Sequence, residues 1–176
     1  MSDGGVPHVD PLKRRGPFYR GYVRFLRTGP GRWVAINLAA PIDPFLMRAT
    51  GGRLGAGLVL PSLNLTTTGA KSGQPRTATV LYFSDGDDVI VIASSFGRDK
   101  HPAWYHNLKA DPDATLERGG QTGRYHAVEV DDEAERERLF GLADKIYGGY
   151  ADYRERTARI GRRIPILRLE PGASRH

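Results

Sequence analysis

The sequence contains no cysteine. Disulfide bonds, thiolate metal ligands and a cysteine nucleophile are therefore excluded. The sequence also lacks an apolar run long enough to cross a bilayer, and Met1 to Asp10 lacks the apolar core of a signal peptide. These absences predict a cytoplasmic protein.

Acidic residues are scarce in the first half of the chain. Between Pro11 and Ser84 the only acid is Asp43, whereas lysine and arginine recur throughout that span, and the net charge of the whole chain is +6. A field of one sign attracts anions such as a polyanionic cofactor, an acidic membrane surface or nucleic acid. The basic residues form no recognisable nucleic-acid reading motif, so we predict no nucleic-acid partner.

Metal-ligand and hydrolase patterns are missing too. His101 and His106 are five residues apart, which is a poor spacing for one helical face, and no acid lies beside them at zinc-ligand spacing. We therefore predict no metal site. The sequence also shows no Ser-His-Asp arrangement, no pair of catalytic carboxylates and no internal repeat.

The most informative stretch that is present begins with a basic glycine turn. Gly69 and Gly73 permit left-handed backbone and leave amide groups open to a ligand, while Lys71, Ser72 and Arg76 supply two positive charges and a hydroxyl. This equipment suits a phosphate. It is not a Walker A loop, because an alanine precedes the lysine and a strand-like run follows. The turn alone leaves a ligand-free basic β-turn open as the alternative.

Alternating apolar residues predict six strands joined largely by tight turns. Asp85-Gly86-Asp87 and Gly119-Gly120-Gln121 are hairpin turns, and the acidic residues of Val130-Asp131-Asp132-Glu133 begin a helix. Closely spaced strands with helices added late predict a mainly β fold with α additions, a six-stranded antiparallel split β-barrel with flanking helices. The predicted strands are Leu58–Thr67, Arg76–Phe83, Asp88–Ser94, Ala114–Arg118, Arg124–Val130 and Ile164–Leu169.

The domain organisation follows from the same pattern. We predict a basic N-terminal arm with short helices over residues 1–54, a cofactor-binding barrel over 55–171 and a tail over 172–176. Residues 1–16 have the composition of a flexible leader. Phe18 to Arg27 is a basic amphipathic helix that could rest on a membrane, cover a pocket or simply pack on its own domain. Shorter helices are predicted at Trp33–Ala40 and Pro44–Ala49.

Two aromatic patches complete the candidate site. Pro102 to Leu108 is a compact helix after a serine-containing loop, in which Trp104 belongs to the core and Asn107 holds a backbone group or a ligand. Tyr147, Tyr150 and Tyr153 recur every third position around a glycine pair. Their hydroxyls could bond a polar substrate or donate a proton, but the same spacing is typical of an amphipathic core helix.

Taken together, these patches resemble the deazaflavin-dependent nitroreductase family of actinobacteria, whose members use coenzyme F420 on a split β-barrel. The resemblance covers about residues 55 to 171. It rests on the segments Leu65-Thr66-Thr67-Thr68-Gly69, Lys71-Ser72-Gly73-Gln74-Pro75-Arg76, Ala93-Ser94-Ser95, Pro102, Ala103-Trp104-Tyr105, Asn107-Leu108-Lys109-Ala110, Pro112 and Ile164-Pro165-Ile166.

The resemblance implies roles for particular residues. Tyr147, Tyr150, Tyr153 and Ser94 would form the substrate side, and the phosphate would lie on the glycine turn. The implied cofactor-binding residues are Ala70, Lys71, Ser72, Arg76, Thr77, Ala78, Thr79, Val80, Leu81, Ile92, Ala93, Ser95, Ala103, Trp104, Tyr105, His106 and Asn107. Two positions depart from the family pattern. Ala70 replaces a basic residue, and Thr79 stands where a proline is usual.

The resemblance also implies the activity. We expect an oxidoreductase that transfers a hydride from reduced coenzyme F420 to an electrophilic acceptor such as a quinone or a nitro compound. FMN in place of the deazaflavin is the less favoured cofactor. The alternative is a non-catalytic barrel that binds or carries a deazaflavin, a flavin or an apolar ligand. Family analogy further implies a homodimer, and the basic helix implies peripheral membrane contact.

Overall fold

The computed structural model describes residues 5–34, 49 and 60–172 of the chain. These residues form five α-helices, six strands and a 3-10 turn at Ser95–Gly97. In chain order they are α1 (Pro17–Leu26), α2 (Gly29–Val34), β1 (Ser62–Thr68), β2 (Pro75–Asp85), β3 (Asp88–Ile92), α3 (Ala103–Ala110), β4 (Asp113–Arg118), β5 (Gln121–Glu129), α4 (Glu133–Ile146), α5 (Gly149–Ala158) and β6 (Ile166–Pro171).

The strands close into a barrel in the order β1-β2-β3-β6-β5-β4. Every neighbouring pair is antiparallel. The predicted fold class, a six-stranded antiparallel barrel with flanking helices, is confirmed. The strand boundaries differ from the prediction by a few residues at the ends.

Tight turns fix the register of two hairpins. Asp85 pairs with Asp88 across Gly86, whose φ is 64°, and Arg118 pairs with Gln121 across Gly119 and Gly120, whose φ values are 61° and 80°. Glycine adopts these left-handed conformations without a Cβ clash, so both predicted hairpin turns are confirmed. With the turns in place, alternate side chains of each strand point into and out of the barrel.

The alternation creates two apolar clusters. The inner cluster fills the barrel and is plugged by Trp104 and Leu108 of α3. The outer cluster lies where Ile90, Ile92 and Ile166 of the sheet meet the helices. Its helical members include Tyr19, Leu26, Leu139, Phe140, Ala143, Ile146, Tyr147, Tyr150 and Tyr153.

Local signals explain the boundary of α4. The Asp132 carboxylate accepts a hydrogen bond from the Glu135 N–H at 2.8 Å, which caps the helix, and Glu133 and Glu135 complement the dipole in its first turn. The predicted start of this helix is confirmed. Along the rest of α4, Leu139, Phe140, Ala143 and Ile146 are buried and Leu142 is half-buried.

The N-terminal segment departs from its prediction. Residues 5–10 are not a free leader, because they lie along the barrel. The Val9 N–H donates to Ser84 Oγ and the Val9 carbonyl accepts from the Ser84 N–H, while the Tyr82 hydroxyl donates to the Pro7 carbonyl. The expected flexibility was wrong for this segment, because composition does not reveal that its backbone groups find partners on β2.

The predicted helix Phe18–Arg27 is present as α1. Tyr19 and Leu26 are buried in the outer cluster, so one face of α1 packs on the protein itself. The predicted helix Pro44–Ala49 lies outside the described residues apart from Ala49, as does Trp33–Ala40 beyond Val34. In the described part of the chain, no helix is long and apolar enough to cross a membrane.

Candidate functional site

The glycine turn joins β1 to β2 and is closed by its own backbone. The Gly69 N–H donates to the Gln74 carbonyl, and the Ser72 and Gly73 N–H groups both donate to the Gly69 carbonyl. Gly73 has φ 63°, which suits only glycine in such a turn. A Cβ on Gly69 would lie 2.6 Å from Ser72 Oγ, so this position also requires glycine.

Asn107 attaches this turn to α3. Its side-chain carbonyl accepts from the Ala70 N–H at 3.0 Å and its amide donates to Thr67 Oγ1 at 2.9 Å. Asn107 is buried, and its bond to Thr67 forms away from solvent, whereas its bond to Ala70 is part-buried. The turn is therefore held rigidly before any ligand arrives.

The expectation of amides open to a ligand needs correction. The N–H groups of Gly69, Ala70, Ser72 and Gly73 are already donated within the protein, and the Gln74 N–H donates to Ser72 Oγ. Ala70 can therefore offer no amide to a phosphate.

Lys71 and Arg76 are exposed cations without a counter-charge. Within the described residues neither side chain has a carboxylate partner. Many other arginines of the protein are paired with carboxylates, among them Arg27, Arg138, Arg154, Arg159, Arg163 and Arg168. Two uncompensated charges on a rigid turn suit a phosphate group.

β2 leads away from the turn with one edge only partly covered. It pairs with β1 along Pro75–Leu81, whereas its pairing with β3 covers Tyr82–Asp85 only. The remaining predicted cofactor residues of this strand are half-buried: Thr77, Ala78, Thr79, Val80 and Leu81. Ala78 and Val80 pack against the inner cluster and Leu81 against the outer cluster.

Two predicted residues at the end of β3 are deeply buried. Ala93 has no exposed surface, its N–H donates to the Pro165 carbonyl and its own carbonyl accepts from Arg162. Both backbone groups of Ala93 are thus bonded within the protein, and its contact with a cofactor stays a prediction. Ile92 is buried in the outer cluster.

The predicted cofactor-binding side chains of α3 differ in burial. Trp104 is buried in the inner cluster, whereas Ala103 and His106 are exposed. The Tyr105 hydroxyl donates to the Glu129 carboxylate at 3.0 Å, and burial, followed by this carboxylate, raises the pKa of Tyr105. Trp104 therefore fixes the position of α3, as predicted for a core residue, and Tyr105 is anchored to β5.

Ser94 and Ser95 begin a short left-handed segment. Ser95 and Phe96 have φ values of 50° and 56°, and Gly97 follows at 71°. Gly97 packs on Tyr153, since a Cβ added to it would lie 3.1 Å from the Tyr153 ring. The structure thus brings the predicted serine and the predicted tyrosines to one place.

The tyrosines form a compact buried trio. The ring centroids of Tyr147 and Tyr150 are 5.7 Å apart, those of Tyr147 and Tyr153 are 6.0 Å apart, and the hydroxyls of Tyr147 and Tyr153 are 3.1 Å apart. Burial raises the pKa of Tyr150 well above its ordinary value. At neutral pH the Tyr150 hydroxyl is therefore protonated and available as a hydrogen-bond donor.

Helix α1 lies over the α4–α5 junction beside the trio. The Tyr19 hydroxyl donates to the Ile146 carbonyl, and Arg27 forms two hydrogen bonds to the Asp152 carboxylate at 2.8 and 2.9 Å. A cavity of about 690 Å³ runs along the contact. Its lining includes Asp144 and seven cations, namely Lys13, Arg14, Arg15, Arg20, Arg24, Arg27 and Lys145.

The sequence did not reveal the role of Arg162, which contacts the segment that follows β3. Arg162 donates from its guanidinium to the carbonyls of Ala93, Ser94 and Arg98. The only local hint in the sequence is Gly161, which has φ 67° and reverses the chain after α5. Nothing in the sequence tells which carbonyls an arginine at this position will reach.

His101 accepts from this arginine, and its titration gives a prediction. Burial, helped by the charges of Arg162 and His106, holds the pKa of His101 below its ordinary value of about 6.5. The unfolded chain therefore binds the proton at higher pH than the folded chain does. We expect the free energy of unfolding to fall as the pH drops below about 6.5 and through the folded-state pKa.

Urea unfolding between about pH 5 and pH 8 measures this dependence. The variant His101→Gln should flatten the slope. An unchanged slope in His101→Gln would contradict the assignment.

Strand β2 connects the glycine turn to the outer cluster, which contains the three tyrosines. Arg76 lies at the turn and Leu81 packs against the outer cluster. A strand of that length spans about 17 Å. An extended ligand with an anionic end and a flat end could therefore use both groups. This geometry is suited to a cofactor with a phosphate at one end and a ring system at the other. In the described part of the chain, no group of three His, Asp or Glu residues could hold a metal ion.

Comparison with known proteins identifies the family. The family model for F420H(2)-dependent quinone reductase matches residues 43–171, and the chain belongs to this family. An F420H(2)-dependent quinone reductase of Mycobacterium tuberculosis is 38% identical over 142 residues, which cover 78% of this chain and 93% of that protein. The predicted class, an F420-dependent oxidoreductase, and the predicted cofactor, coenzyme F420, are confirmed.

Solved structures agree with this assignment. An F420-H2 dependent reductase shows 36% identity with a TM-score of 0.56 and covers 62% of this chain and 94% of its own. A structure described as a domain-swapped dimer shows 32% identity with a TM-score of 0.58 and covers 81% of this chain and 100% of its own.

Proposed function

We propose that this protein reduces a quinone, or a similarly electrophilic nitro compound, with reduced coenzyme F420. The proposal is carried by the closed glycine turn, whose Lys71 and Arg76 have no carboxylate partner among the described residues. From this turn β2 leads to the outer cluster, which contains the three buried tyrosines. Family membership supports F420 as the reductant.

The residues of the turn fit the phosphate of the coenzyme. Lys71 and Arg76 would bind it as charge-assisted donors, and Ser72 would add its hydroxyl. The exposed positions of these side chains suit a strongly hydrated group that arrives from solvent. Asn107 would act indirectly here, because its side chain is already bonded to Ala70 and Thr67.

The residues along β2 and β3 would hold the ring system. Thr77 to Leu81 would contact it from the partly covered edge of β2, and Ser95 would face it from the end of β3. When bound, the reduced coenzyme supplies a hydride. The chain's part is to bind the two reactants, hold them in register and exclude water.

The tyrosine trio would orient the acceptor. The hydroxyls of Tyr147 and Tyr153 are in contact, and Gly97 lies close to the Tyr153 ring. A hydroxyl at this point could donate to the acceptor oxygen while negative charge develops there. Ser94 would be the second donor.

Removal of one hydroxyl should lower activity without loss of coenzyme binding. In Tyr153→Phe we expect kcat/KM for a quinone to fall about tenfold, since one neutral hydrogen bond is lost. Steady-state kinetics with menadione and fluorescence titration of the coenzyme measure the two quantities. Tyr125→Phe, which removes a hydroxyl from the inner cluster, is the matched control and should keep full activity. Equal losses in the two variants would contradict the role of Tyr153.

The proposal is tested by coenzyme titration followed by turnover. We expect F420 to bind with a change in fluorescence and its reduced form to be oxidised when menadione is added. Binding without oxidation by any quinone or nitro acceptor would favour the alternative, a barrel that carries the cofactor. Failure to bind F420, with binding of FMN instead, would overturn the choice of cofactor.

Peripheral membrane contact is a further part of the proposal. Three apolar side chains of the N-terminal region are exposed beside the basic cavity: Leu12 at 65%, Phe18 at 78% and Phe25 at 48%. Exposed apolar residues among cations suit an anionic bilayer surface. This would place the protein at the inner face of the cell membrane, close to lipid-soluble quinones.

Sedimentation with anionic liposomes tests this contact. The double variant Phe18→Ala/Phe25→Ala should remain in the supernatant, whereas the wild type and Val128→Ala, which alters an exposed residue of β5, should pellet. Equal recovery of all three proteins would dismiss the membrane contact.

We also propose a homodimer and the predicted domain division. The similarity to a domain-swapped dimer supports self-association, and the family match over residues 43–171 supports the barrel of residues 55–171 as the conserved unit. Light scattering on the purified chain decides between monomer and dimer.

A further inference from the structure

The segment from Ser94 to His101 joins β3 to α3 and has an unusual backbone. Ser95 and Phe96 are non-glycine residues with φ of 50° and 56°. Such residues adopt left-handed conformations only when the surrounding structure holds them there. Contacts from the rest of the protein must therefore hold Ser95 and Phe96 in this conformation.

A single side chain supplies most of them. Arg162 Nη2 donates to the Ala93 carbonyl at 2.7 Å, and Nη1 donates to the Ser94 carbonyl at 3.1 Å and to the Arg98 carbonyl at 2.6 Å. Arg162 Nε donates to His101 Nδ1 at 3.2 Å, so this imidazole nitrogen carries no proton. Within the described residues no carboxylate pairs with Arg162, whose charge is met by carbonyl dipoles.

The end of α5 delivers the arginine to this position. The Arg162 N–H donates to the Thr157 carbonyl at 2.9 Å and the Gly161 N–H donates to the Ala158 carbonyl at 3.1 Å. With Gly161 left-handed at φ 67°, this is a Schellman motif, which reverses the chain. The reversal points Arg162 back toward the ends of β3 and α3.

By binding a carbonyl, Arg162 also fixes the direction of the N–H in the same peptide unit. In a trans peptide the C=O and the following N–H point in opposite directions. Because Arg162 draws the Ser94 carbonyl toward itself, the Ser95 N–H must point to the other side. The same contacts set Gly97 against the ring of Tyr153.

We propose that Arg162 is a positioning residue for the reaction, which sets Ser94 beside Tyr153 on the acceptor side. The inference rests on the proposed function, because that function assigns Ser94 and Tyr153 to the acceptor. Arg162 itself touches neither reactant. It acts through three carbonyls that no other described side chain holds.

The test compares Arg162→Lys with Arg163→Lys. Lysine keeps the charge, but its ammonium group lacks the planar arrangement of donors with which the guanidinium reaches three carbonyls. Arg163 is the matched control, since it is the next residue and bonds instead to Glu133 and to the Asp131 carbonyl. We expect Arg162→Lys to lower kcat/KM for menadione about tenfold or more, with the coenzyme Kd changed less than about threefold.

Amide hydrogen exchange provides a readout that does not depend on activity. The Gly97 N–H donates to the Ser94 carbonyl and the Arg98 N–H to the Ser95 carbonyl. Both amides should exchange faster in Arg162→Lys and keep the wild-type rate in Arg163→Lys. In addition, Ser94→Ala should cost less activity in the Arg162→Lys background than in the wild type, since the serine is then already misplaced.

Failure of the positioning role of Arg162 and failure of the proposed function give different results. Unchanged exchange at Gly97 and Arg98 would overturn the positioning role, as would parallel losses of thermal stability, coenzyme affinity and activity, which indicate a general structural role. If Arg162→Lys fails to fold, His101→Gln removes only one of the four contacts and should show the same exchange pattern in weaker form. If the wild type reduces no acceptor, the proposed function fails while the exchange data still decide whether Arg162 orders the segment.

Discussion

Replacing both cations of the glycine turn should weaken coenzyme binding about a hundredfold. Lys71→Ala and Arg76→Ala each remove one charged donor, and a hydrogen bond to a charged group contributes about 1.5–3 kcal/mol, or about tenfold in Kd at the lower end. Neither side chain has a protein partner among the described residues that would be lost as well. Fluorescence titration of F420 measures the effect.

The structure provides clear controls for this experiment. Arg124→Ala and Lys145→Ala remove exposed cations from β5 and from the end of α4, so they alter net charge equally without touching the turn. The thermal unfolding of all four single variants should match that of the wild type. Because the turn is exposed, added salt should weaken wild-type binding more than it weakens binding by the double variant. A double variant with the wild-type Kd would reject the phosphate assignment.

A second large effect is expected at Asn107. The variant Asn107→Leu keeps the volume but removes the acceptor of the part-buried Ala70 N–H and the amide that donates to the buried Thr67 hydroxyl. Loss of such a hydrogen bond costs about 1–3 kcal/mol, so we expect the free energy of unfolding to fall by about 2–4 kcal/mol. The turn should also lose its fixed geometry, and the Kd for F420 should rise about tenfold. Urea unfolding and coenzyme titration measure the two effects.

An isosteric variant separates the two roles of Asn107. In Asn107→Asp the carboxylate can accept from both the Ala70 N–H and the Thr67 hydroxyl, so stability should stay near that of the wild type. The added negative charge beside the turn should nevertheless weaken coenzyme binding. Ala110→Ser, which alters an exposed residue at the end of α3, should change neither quantity. If Asn107→Leu destabilises the fold and the coenzyme Kd stays constant, the turn does not depend on this contact.

The sequence was sufficient for the fold and for the donors of the turn. Apolar residues at every second position specify strands, and Gly86, Gly119 and Gly120 mark hairpins because only glycine adopts their left-handed φ without strain. These signals lie within a few residues of one another. The unpaired cations Lys71 and Arg76 and the trio of tyrosines could be found in the same way, since they stand close together in the chain.

Only the tertiary structure decided how these groups are used. Asn107 accepts a hydrogen bond from the Ala70 N–H, which lies 37 residues earlier in the chain. Arg162 donates to the Ala93 carbonyl, which lies 69 residues earlier. The same packing buries Ala93 completely and lays residues 5–10 along β2. Local sequence shows which donors and acceptors exist. Which of them bond to each other depends on which strand and helix ends meet when the barrel closes, and this is settled by long-range packing.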